Sequence, residues 1–166
     1  MAAGLAVAVA ATAQQPTSSA AKAPATYGTQ SVIYDWIPAT EFTPDRPDFG
    51  LSINPNGYFN ATGSDPNPFF FATVRLPNGA LWTGVTVYYD DSDAANDMEF
   101  LIEQDNISSD TATQLTQVFS SGTPGHTSSF LGLPGGGITI DTSDNFYKVA
   151  FNIAISPTLQ FRAARI

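Results

Sequence analysis

The chain has 166 residues, enough for one domain with a sizeable core. Only 13% of residues are charged and 43% are hydrophobic, with twelve Phe, six Tyr and two Trp to bury, so a disordered chain is excluded. A net charge of −9 disfavours nucleic acid and anionic membranes as partners, and the lack of cysteine excludes disulfides, thiol catalysis and cysteine-based metal sites.

The first segment, residues 1–13, reads MAAGLAVAVAATA. It is shorter than the roughly 20 apolar residues of a membrane span. Ala11-Thr12-Ala13 resembles a signal-peptide cleavage site, yet Met1 to Gly4 carries no basic residue. Leu5, Val7 and Val9 fall on one side of an extended chain, which is the pattern of a retained strand. Residues 14–26, QQPTSSAAKAPAT, form a linker whose two prolines favour extended backbone.

From Tyr27 to the end, runs rich in Val, Ile, Thr, Phe and Tyr alternate with Gly, Pro, Asn and Asp. TQSVIYDWIP reads as a strand with Val32, Tyr34 and Trp36 on one face. PNGYF and LPNGA are turns. FFFATVRL sets Phe69, Phe71, Thr73 and Arg75 opposite Phe70, Ala72, Val74 and Leu76. WTGVTVYYD points Val85, Val87 and Tyr89 inward and Thr86 and Tyr88 outward. DMEFLIEQ puts Met98, Phe100 and Ile102 on one face and Glu99 and Glu103 on the other. TQLTQVFS alternates Leu115, Gln117 and Phe119 against Thr116 and Val118. SSFLGL and GITID are short candidates. NFYKVAFNIAI aligns Tyr147, Val149, Phe151, Ile153 and Ile155, and LQFRAARI aligns Leu159, Phe161 and Ala163 against Gln160 and Arg162.

No helical periodicity is sustained over three turns. Some eight to ten strands at about ten-residue spacing predict an all-β, two-sheet β-sandwich, jelly-roll-like, over residues 27–166. The block LPNGALWTGVTVYYDDSDAANDMEFLIE, with WIPATEFTP before it and LQFRAARI after it, resembles a module of uncharacterised secreted bacterial β-sandwich proteins. That resemblance spans roughly residues 30–166. It implies export and a jelly-roll-like fold, and it carries over no catalytic residues.

Candidate chemistry is sparse, and the expectation is that the chain is not an enzyme. The single histidine, His126, sits in a loop-like composition, and no nucleophile-elbow pattern accompanies it. The acidic stretch at residues 90–110 reads as a solvated edge. Within it, Asp90, Asp91, Asp93 and Asp97 form an oxygen-rich cluster suited to Ca²⁺, without EF-hand spacing. Asn60-Ala61-Thr62 and Asn106-Ile107-Ser108 are glycan-attachment tripeptides. Trp82 and Tyr88, with Tyr58 and Tyr27, are candidates to stack on sugar faces.

Two functions follow as expectations. In the first, the chain is a structural subunit of an extracellular bacterial fibre. Its layout resembles donor-strand fibres: Leu5, Val7 and Val9 anchor in the neighbouring subunit, the linker acts as tether, and the partner is another copy of the chain. In the second, it is a secreted monomeric glycan-binding module whose first segment is a cleaved signal.

Overall fold

A computed structural model describes residues 32–63, 68–122 and 124–166. Among them are thirteen strands and two short 3-10 turns. In chain order the strands are β1 (Trp36–Pro38), β2 (Thr43–Pro44), β3 (Gly50–Ile53), β4 (Phe59–Thr62), β5 (Phe69–Val74), β6 (Leu81–Trp82) and β7 (Gly84–Asp91). They continue as β8 (Glu99–Asn106), β9 (Thr111–Phe119), β10 (His126–Gly132), β11 (Ile138–Thr139), β12 (Asn145–Asn152) and β13 (Leu159–Arg165).

Two antiparallel sheets pack face to face. One has the order β10-β7-β13-β4-β3, with β1 on the same edge of β13 as β4; the other has the order β2-β5-β12-β8-β9. Strands β6 and β11 form a small separate pair. Most neighbours in the sheets are not neighbours in sequence, and crossovers between two packed sheets make the jelly-roll sandwich that the strand spacing predicts.

Alternation drives the core. The inward residues of β7, β8 and β12 share the faces that the sequence pattern groups: Val85, Val87 and Tyr89; Phe100 and Ile102; Tyr147, Val149 and Phe151; of the two faces of β5, the structure turns Phe70, Ala72 and Val74 inward. Phe151 lies at the centre, with ring centroids of Phe161, Phe42 and Phe70 at 4.3, 5.2 and 5.2 Å. Each fully buried ring contributes about 1.5–3 kcal/mol through area removed from water.

Three strands depart from the sequence pattern. Only Trp36–Pro38 of the expected first strand pairs, and Val32 to Asp35 are exposed. In β13 a bulge between Phe161 and Ala163 inserts Arg162, so Ala164 turns inward and Ala163 and Arg165 outward. Opposite β9, an irregularity between Ile102 and Glu103 changes the register, so Val118 and Thr116 oppose the core residues Phe100 and Ile102 while Phe119 is exposed. His126 opens β10 rather than sitting in a loop. Gly84 begins β7 with φ at +151°, where a Cβ would stand 2.2 Å from the Leu131 carbonyl oxygen.

Candidate functional site

The outer face of the five-stranded sheet is recessed. Directly opposed residues of antiparallel strands share a face, so Thr73, Lys148, Glu103 and Gln114 form one row across β5, β12, β8 and β9. The next row is Phe71, Ala150, Leu101 and Gln117, with Thr43 of β2 opposite Phe71. These positions point away from the core. Even so, Ala150 is 0% and Leu101 4% exposed, because larger neighbours rise around them. They are the floor of a trough.

Charge is sunk into this trough. The Lys148 ammonium sits 2.7 Å from Asp105 Oδ2 and 3.2 Å from Glu103 Oε2. Glu103 and Asp105 are two residues apart on β8, so both reach the same face. The three side chains keep only 18%, 20% and 15% exposure. Nζ also lies 5.5 Å from the Phe71 ring centroid and 5.7 Å from that of Phe146. Burial pulls the Lys148 pKa down, but hydrogen bonds and charge from Asp105 and Glu103 outweigh it and raise the value.

At the β5 edge the trough opens into a cavity of about 500 Å³ lined by Glu41, Thr43, Phe71, Ala72, Thr73 and Arg75. A smaller hollow of about 220 Å³ shares Glu41, Thr73 and Arg75 and reaches Trp36 and Asp35. The groove therefore has an aromatic ring at each end and hydroxyl, carboxylate and guanidinium groups between. That is the donor, acceptor and apolar mixture of a polyol site.

The sequence-derived candidates fall elsewhere. Trp82 is 2% exposed, donates from Nε1 to the Gly84 carbonyl at 2.9 Å and meets Tyr147 edge-on, so both faces of its ring belong to the interior. Tyr88 lies on the outer face of the other sheet, 5.2 Å from the Trp36 ring. Tyr58 is 5% exposed and stacks on His126, with Oη 2.7 Å from Nδ1. Tyr27, Leu5, Val7 and Val9 lie outside the described residues.

The four aspartates do not converge. Asp90 and Asp91 are adjacent on β7, so they point to opposite faces. Asp91 is buried and accepts from the Ser120 hydroxyl and from the Gly122 and Asp93 amides. Asp90 accepts from Ser92 and faces His126 at 3.6 Å. Asp93 accepts from the Ala95 and Asn96 amides and the Ser156 hydroxyl. These bonds, led by that of Ala95, lower the Asp93 pKa to about 2. Asp97 is exposed. Among the described residues no group of three or more acidic, His or Cys side chains is placed to hold a metal. The turn uses its carboxylates to tie down its own backbone.

The two sequon asparagines are likewise engaged. Asn60 Nδ2 donates to the Leu159 carbonyl at 2.9 Å, and Asn106 Nδ2 donates to Asn145 Oδ1 at 3.0 Å. Spacing in sequence pointed to acidic residues 90–97. The trough depends on Lys148, whose partners lie more than forty residues away. The one local clue was Glu103 and Asp105 at same-face spacing beside a lone strand lysine.

No protein-family model matches the chain, and no curated protein matches it. Solved structures do. A family 6 carbohydrate-binding module, studied for its binding sub-sites, matches with TM-score 0.52 and 13% identity, covering 78% of this chain and 90% of that one. The CBM22-1 and GH10 modules of Clostridium thermocellum xylanase 10B, complexed with xylohexaose, match at 0.47 and 9%, covering 84% of this chain and 29% of that much longer one. A Clostridium thermocellum family 11 module, in complex with a mixed-linked tetrasaccharide, matches at 0.42 and 13%, covering 83% and 91%.

The likeness is one of fold. This chain is a jelly-roll β-sandwich like the family 6 module. The family 6 module is a carbohydrate-binding module and not a fibre subunit, which corrects the homopolymer, filament and donor-strand expectation. Phe70, Phe100, Phe151 and Phe161 are at most 1% exposed within a single chain. Among the described residues no helix is long and apolar enough to cross a membrane.

Proposed function

We propose that this chain is an exported, non-catalytic glycan-binding module that holds a saccharide in the trough of its five-stranded sheet. The observation that carries the reading is the trough itself: Lys148, Glu103 and Asp105 sunk between the rings of Phe71 and Phe146, beside a cavity of about 500 Å³. The sandwich shared with a carbohydrate-binding module supports it.

The chemistry of recognition follows from the side chains. A pyranose ring has apolar C–H faces and a polar rim. The faces lose water against Phe71 and Phe146. The rim meets the Thr73 hydroxyl and the Gln114 and Gln117 amides, which lie in the same rows. Lys148 is already held by two carboxylates, so little side-chain entropy is lost when a hydroxyl replaces water beside it. Carboxylates outnumber the ammonium here, which suits an uncharged sugar.

Affinity electrophoresis on a panel of neutral polysaccharides tests the proposal. At least one polymer should retard the wild-type chain, and Phe71→Ala should weaken that retardation at least about tenfold without lowering the melting temperature by more than a few degrees. No retardation by any polymer, or full retardation of a folded Phe71→Ala protein, overturns it.

A further inference from the structure

The opposite face of the sandwich holds a cation of a different kind. The bulge at Arg162 turns Arg165 outward on β13, opposite Trp36 of β1 and Thr86 of β7. Its guanidinium carbon is 4.6 Å from the Tyr34 ring centroid, 5.7 Å from Trp36 and 5.8 Å from Tyr88. Among the described residues the Arg165 side chain has no ion pair or hydrogen bond, and its Nε is buried without a partner. Arg75 and Arg162 likewise have no ion pair among the described residues, but Arg165 Nε is the one buried side-chain nitrogen there without a partner.

The surroundings supply more than a cation. Tyr34 and Trp36 are 60% and 52% exposed, so their rings present free surface. Thr86 lies beside Arg165 in the same row, and Ser128 lies beside Tyr88 in the next. Aromatic surface, hydroxyls and a guanidinium fork meet in one place. The fork matches a carboxylate with two parallel hydrogen bonds, and the rings fix its plane before the ligand arrives.

We propose that Arg165, Tyr34, Trp36 and Tyr88 form a second saccharide site that takes a carboxylate-bearing (uronic) sugar. The net charge of −9 repels a polyanion at long range, but screening limits this to about 8 Å at physiological salt. Short uronates are therefore the ligands expected, rather than densely charged polymers. Trp36 also borders the small hollow beside Arg75, but Phe71, Thr73 and Lys148 take no part in this site, so either site can fail without the other.

Calorimetric titration of the full chain with a trigalacturonate and with the matching neutral trigalactoside tests the site. The uronate should bind at least about tenfold more tightly than the neutral sugar, and raising salt should weaken it. Arg165→Gln should erase the preference. Arg165→Lys, which keeps the charge and loses the fork, should lose most of it, and Phe71→Ala, although it weakens neutral-glycan binding in the trough, should leave the uronate affinity itself unchanged. Equal affinity for the two sugars, no uronate binding, a salt-independent affinity, or a preference that survives in Arg165→Gln overturns the proposal. The salt series on the wild-type protein keeps the test valid if a variant misfolds.

Discussion

The two outer faces of the sandwich solve the placement of charge in opposite ways. On the five-stranded sheet the Lys148 ammonium is sunk in a trough and shared by two carboxylates. On the six-stranded sheet the Arg165 guanidinium is raised on a bulge and covered by aromatic rings. An ammonium is a compact, strongly hydrated charge that must find anions when it loses water, whereas a guanidinium is weakly hydrated and stacks. The lesson is that two cations on one scaffold can prepare different sites, one balanced for neutral ligands and one left open to an acid.

The contrast is broken most strongly by filling the floor of the trough. Ala150→Phe adds a ring to a position that is 0% exposed, and it should cost about 1–3 kcal/mol and abolish glycan retention while sparing the Arg165 face. Urea unfolding and affinity electrophoresis read the two effects. On the other face, Gly84→Ala should also cost about 1–3 kcal/mol, because its Cβ would meet a backbone oxygen at 2.2 Å and its φ of +151° is strained for any side chain.

Lys148→Met sharpens the comparison at smaller cost, about 1–2 kcal/mol, by leaving two half-buried carboxylates without their cation. It also has a pH signature. The folded-state pKa of Lys148 is raised above the ordinary value of 10.5, so its stabilisation is complete below that value and is lost as pH rises past it. Wild-type melting temperature should fall in that alkaline range, and the fall should be shallower in Lys148→Met.

The smallest effect is at acid pH. Asp93 is held at about 2, below its ordinary 3.8, by the Ala95 amide first and the Ser156 hydroxyl next. A depressed carboxylate stabilises above its unfolded value and loses that contribution as pH falls toward 2. Asp93→Asn should flatten the melting curve between pH 4 and 2 and leave both faces unchanged.

Much of the sandwich was legible in the sequence wherever alternation ran unbroken. In β7 and β8 the burial of Val87 and Phe100 follows from period two alone, whereas in β5, with Phe on both faces, alternation left open that Phe70 is the buried one. The bulge at Arg162 was not legible, since LQFRAARI alternates smoothly through Ala163 and only the backbone shows the extra residue. Sequence position beside the LPNGA turn did not show that Trp82 is buried, where its indole donates to the Gly84 carbonyl. Asp90 and Asp91, adjacent in sequence on β7, point to opposite faces of the sheet. The trough was hidden because its row crosses four strands that are distant in sequence.

The central claim is that a neutral glycan sits over Lys148. Amide chemical-shift mapping during titration with a soluble neutral oligosaccharide tests it most directly. The largest shifts should fall at Thr73, Glu103, Gln114, Lys148 and Ala150, with Thr86, Tyr88 and Arg165 unmoved. Shifts concentrated at Thr86, Tyr88 and Arg165, with the trough unmoved, would contradict it.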